Sequence, residues 1–124
     1  MSDLATDMIE VVLNEKLDVE PMPIAEDVGP HAGLPLVHAA YPADRRLVLS
    51  AHFGCQLLHA DLKSPLWFND CDTHPASSGG PQLVKVDGVL QLAAIMVAAG
   101  NGGPNVAVPI SRQNKSPPNR TCPY

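Results

Sequence analysis

The chain has 124 residues, 45% of them apolar, and a net charge of −5. That is one small domain with enough apolar content for a core. Its eight basic residues are scattered, with Arg45-Arg46 the only doublet, so it lacks the basic stripe of a nucleic-acid groove. Thirteen prolines and nine glycines exclude a helical bundle, and no apolar run is long enough for a membrane-spanning helix.

In chain order, Met1-Ser2-Asp3-Leu4 has neither the basic start nor the apolar run of a signal peptide. Asp7-Met8-Ile9-Glu10-Val11-Val12-Leu13 predicts a strand, with a helix from Leu4 to Leu17 as the competing assignment, because Leu4, Met8, Val11 and Val12 fall near helical spacing. Val19 to Pro35 carries four prolines and two glycines and predicts a connector. Strands are then predicted at 36–41, 47–52 and 56–60, and a brief apolar patch at 66–68. Two runs, 82–86 and 89–97, flank Asp87-Gly88, which is a strong hairpin signal. Val106–Ile110 closes the series, and the polar, proline-rich residues 112–124 read as a flexible tail. Short strands at this spacing imply an all-β sandwich or small barrel.

Three cysteines do not make a disulfide framework. Cys55 and Cys71 flank a short segment in a way that allows pairing, which leaves Cys122 over. No His or Cys spacing matches a metal site, and nothing in the chain calls for a cofactor. One segment reads as chemistry: Cys71-Asp72-Thr73-His74-Pro75-Ala76-Ser77-Ser78-Gly79-Gly80-Pro81. Glycines after Ser78 allow the positive φ of a strained turn and the close approach of a substrate backbone. The bland alternative is an ordinary Ser/Gly turn before a strand. A nucleophilic serine needs a base, yet all five histidines (31, 38, 52, 59 and 74) precede Ser78. That order excludes an α/β-hydrolase triad, whose histidine follows its serine.

Asp72-Thr73-His74-Pro75-Ala76-Ser77-Ser78-Gly79-Gly80-Pro81 resembles the nucleophile loop of chymotrypsin-like serine proteases. It is most similar to that of bacterial trypsin-like peptidases related to the glutamyl endopeptidases, where it reads Asp-Thr-x-x-Gly-x-Ser-Gly-[Ser/Gly]-Pro. Tyr41-Pro42-Ala43-Asp44-Arg45, Gly54-Cys55, Cys71, Leu92–Val97 and Asn105–Ile110 resemble further segments of the same family in the same order. Asp7–Leu13, followed by Leu17–Ala25, resembles its last first-barrel strand and the connector after it.

The resemblance implies an all-β chain carrying the C-terminal six-stranded barrel of a two-barrel fold. Residues 1–30 would hold the last strand of the first barrel and the inter-barrel connector, 31–111 the second barrel, and 112–124 the tail. It implies a secreted or periplasmic serine endopeptidase acting on peptides or proteins. Ser78 is the implied nucleophile and Asp7 the orienting carboxylate, with Asp3 a less well-placed alternative. The backbone N–H groups of Ala76 and Ser78 form the implied oxyanion hole, and Asp72, Thr73, Met96, Val97, Ala98 and Ala99 the pocket. The catalytic histidine of the family belongs to the first barrel and has no counterpart here, so this chain alone is expected to be inactive. The missing first-barrel segment is its expected packing partner, and Met8, Val11 and Leu13 its expected exposed apolar face. His38 and His52 read as core or edge residues and His59 as a loop-edge residue.

Three positions depart from the family. Ala76 stands where it has glycine, Ser77 replaces the aspartate that pairs with a new N-terminus in activated trypsins, and Met96 replaces a pocket histidine. A non-catalytic domain that binds extended peptides by strand addition and an unrelated β-sandwich are the rival expectations.

Overall fold

The structure is a computed structural model that describes residues 8–26, 28–41, 47–60, 66–71, 78–98 and 104–110. These residues form six antiparallel strands: β1 (Pro35–Ala40), β2 (Ser50–Ala60), β3 (Trp67–Asn69), β4 (Pro81–Val86), β5 (Val89–Ala98) and β6 (Asn105–Pro109). They close into one barrel in the order β1-β2-β3-β6-β5-β4. The first four strands therefore lie in the spatial order 4-1-2-3 of a Greek key. Among the described residues no helix is long and apolar enough to cross a membrane. Residues 112–124 and the predicted site positions Asp7, Asp72, Thr73, Ala76 and Ala99 lie outside the described residues.

The β4–β5 hairpin forms where predicted. Asp87 and Gly88 both take positive φ, 50° and 81°, as a two-residue turn must to match the twist of its strands. The expected strands at 47–52 and 56–60 are instead one strand, β2, that begins at Ser50, and Leu47–Leu49 lie outside it. Two bulges explain why its pattern looks broken. Gly54 (φ 100°) is the extra residue opposite Leu36/Val37, and Leu58 is the extra residue opposite Phe68/Asn69. Each bulge shifts the inward phase by one, so Cys55 and Leu57 are buried on one side of Gly54 while Phe53 and Leu58 face out. His59, expected at a loop edge, belongs to β2 and stacks on Phe68 at 5.7 Å.

The strand expected over Asp7–Leu13 and the helix expected over Leu4–Leu17 are both absent from the described part of those ranges. Ile9 is 86% exposed and Val11 70%, while Met8, expected to be exposed, is half-buried. The connector takes its own short pairing. Ala25 N–H donates to the Leu92 carbonyl at 2.8 Å and Leu92 N–H to the Pro23 carbonyl at 2.8 Å. This pairs with β5 at Leu92, beyond its last partner on β6, Pro109 opposite Ala94.

Leu36, Leu57, Trp67, Val84, Met96 and Ala107 fill the barrel, with Ala25 from the connector packed against them. Among the described residues four polar side chains, His38, Asn69, Gln82 and Asn105, are buried as well.

Candidate functional site

Ser78 stands at the exit of the segment between β3 and β4, and both ends of that segment are pinned. At its entry, Cys71 is buried and joined to Cys55 of β2 by a disulfide with Cα atoms 4.7 Å apart. Cys71 N–H donates to Asn69 Oδ1 at 3.2 Å, and the Asn105 side-chain amide donates to the Cys71 carbonyl. Asn69 and Asn105 face each other across β3 and β6, where the Asn69 amide reaches the Asn105 carbonyl at 3.5 Å. Asparagine is a poor strand residue, and here both spend their side chains fixing one backbone position.

At the exit, Gly79 N–H donates to the Met96 carbonyl at 2.7 Å and Met96 N–H to the Gly80 carbonyl at 3.0 Å. Gly79 has φ 89°, a conformation that an L side chain resists. That turn leaves the Ser78 side chain exposed. Its hydroxyl donates to the Val97 carbonyl at 3.3 Å. Val97 is the extra residue of a bulge in β5, between Met96 opposite Ala107 and Ala98 opposite Val106. Bulges re-aim backbone groups at a sheet's working end, and this one turns a carbonyl toward the serine.

Two apolar hollows flank the turn. One, of about 550 Å³, lies between Ser78–Pro81, the end of β1 at Ala39–Tyr41, Leu49 and Met22. The other, of about 490 Å³, lies between Ser78–Gly79, Ile95–Val97 and the N-terminal Met8 and Ile9. Volumes of this order suit a ligand side chain or a short peptide stretch. Ser78 and Gly79 border both, so a ligand in either hollow lies beside the serine.

The structure thus brings together Ser78, Met96 and Val97 from the predicted set, with Ala98 next along β5; Met96 is buried and Val97 half-buried. A carbonyl cannot take a proton from serine, so the Val97 contact orients the hydroxyl without activating it. His38, expected as a core or edge residue, is in the core and donates from Nδ1 to the Pro81 carbonyl at 3.2 Å. Burial pushes its imidazole below the ordinary value of 6.5; the Pro81 contact works against that shift and His52 adds to it. Sequence inspection missed Asn69, Asn105, Met22 and Leu49. The two asparagines carried a signal, since polar residues of low strand propensity inside strands point to a fixed hydrogen-bonding task.

No group of three or more His, Cys, Asp or Glu placed to hold a metal ion occurs among the described residues. No protein-family model matches the chain, and no curated protein matches it.

Proposed function

We propose that this barrel is the nucleophile-bearing half of a trypsin-like serine endopeptidase. The observation that carries this is the exposed Ser78 hydroxyl on a positive-φ glycine turn, pinned at both ends and set between two apolar hollows. The closed six-stranded barrel is the fold that the sequence resemblance asks of residues 31–111. Met8 and Ile9, which follow the proposed orienting carboxylate Asp7 in the sequence, line the same hollow as Ser78.

In this mechanism Ser78 Oγ attacks the substrate carbonyl as a histidine takes its proton. The same histidine then returns the proton to the leaving amine, and water hydrolyses the acyl-enzyme. The backbone N–H groups of Ala76 and Ser78 hold the oxyanion, and Asp7 keeps the histidine in its working tautomer. The histidine comes from a first-barrel segment that packs on this chain. Without it the loss is about 10⁴–10⁶-fold in rate, so the isolated chain is inactive.

A fluorophosphonate probe followed by mass mapping tests this. Ser78 should stay unlabelled in the isolated chain and become labelled once a first-barrel segment with its histidine is added. Labelling of the isolated chain would overturn the requirement for that segment. Failure to label Ser78 in a formed complex would overturn the catalytic assignment.

A further inference from the structure

The barrel closes through its shortest ladder. β1 and β4 are paired only at Val37 opposite Leu83 and His38 opposite Gln82, whereas β4 and β5 share six residue pairs. Half of this closure consists of polar side chains. His38 is 3% exposed and Gln82 0%. As direct cross-strand neighbours they project from the same face of the sheet.

The Pro81 carbonyl can only accept, so His38 Nδ1 carries a proton and Nε2 of the neutral ring is an acceptor. Among the described residues Nε2 has no hydrogen-bond partner, and neither has Gln82 Oε1. The Gln82 amide instead sets its N–H against the Cys71 sulfur at 3.6 Å. Among the described residues no carboxylate acts on the ring. β2 presents His52 opposite it, a further potential cation. β1 adds only the exposed Tyr41 just beyond its end, β4 only the exposed Lys85, and the Cys55–Cys71 disulfide does not titrate.

We infer that the β1–β4 closure is an acid-released latch, in which protonation of His38 opens this seam ahead of the rest of the barrel and frees the Ser78–Pro81 turn. A buried imidazolium without a counter-charge is costly, and the cheapest way to hydrate it is to part the two residue pairs beside it. Pro81, which His38 holds, directly continues the turn, so opening unpins the turn on its β1 side. The latch does not depend on the chemistry of Ser78.

The direction in pH follows from burial. The folded-state imidazole titrates below 6.5, so the opened state binds the proton more readily. Closure is therefore at full strength above about pH 6.5 and weakens as pH falls toward the folded-state value. Between those two values protection of seam amides should fall by up to about tenfold per pH unit, and it should level off below the folded-state value.

Residue-resolved amide hydrogen exchange, corrected for intrinsic rates, tests this between about pH 7.5 and about pH 5. Amides of Val37, His38, Gln82 and Leu83 should lose protection while those of Trp67 and Ala107 keep it. His38→Asn retains a neutral donor for the Pro81 carbonyl and should remove the pH dependence. A ¹⁵N titration of the wild-type imidazole supplies the same answer should that variant not fold. Uniform loss across the barrel, no loss, an unchanged profile in H38N, or an imidazole titrating at or above 6.5 would each overturn the latch. Tightening in acid would do so too, since it would mean that Gln82 Oε1 accepts the new proton.

Discussion

Gln82-Leu83-Val84-Lys85-Val86 is less apolar than Ile9-Glu10-Val11-Val12-Leu13, yet the first is a largely buried barrel strand and the second is exposed and lies outside every strand. Local composition favours the wrong one. What separates them is the supply of neighbours. β4 has β5 along its whole length on one side and β1 on the other. The barrel is closed, and the free stretch of β5 at Leu92 is already taken by Pro23 and Ala25. A run of β-branched residues becomes a strand only where another backbone offers its donors and acceptors.

Substitutions can break or sharpen this contrast. The largest effect is expected in the barrel interior. Leu57 is fully buried, and Leu57→Ala should cost about 2–5 kcal/mol in a urea titration. An intermediate effect is expected at Gly54, where a Cβ would meet no atom within 4 Å but φ is 100°. Gly54→Ala should therefore cost about 1–3 kcal/mol through backbone strain alone. A neutral outcome would show that β2 can give up its bulge. The smallest effect is expected at the N-terminal segment. Ile9→Ser and Val11→Ser should change stability by no more than about 0.5 kcal/mol each, while lowering the binding of a hydrophobic dye. A loss comparable to that of Leu57→Ala would mean that this segment is paired in solution.

Turn chemistry made much of the barrel legible in the sequence. Asp87-Gly88 fixed the β4–β5 hairpin, and the turn-bounded apolar runs located β1 and β6. The continuity of β2 stayed hidden because two bulges reset its alternation, and an extra residue carries no periodic signature of its own. At the site, Ser78-Gly79-Gly80 stood out by its chemistry. The Cys71 clamp did not, since Asn69 and Asn105 are far apart in sequence and meet only through the β3–β6 register. Composition predicts a strand over Asp7–Leu13, but it says nothing about whether a partner edge exists.

The Pro23–Ala25 pairing also bears on how this chain behaves at high concentration. An uncovered strand edge is a template on which further chains can stack. Here β5 is covered at Leu92 by a segment with proline at positions 21 and 23. Proline has no N–H to offer a further strand. The connector accepts once and donates once toward β5, at Pro23 and Ala25. A further copy meeting this chain through its exposed N-terminal side chains finds the Leu92 backbone already occupied, so stacking at that point would first have to displace the connector.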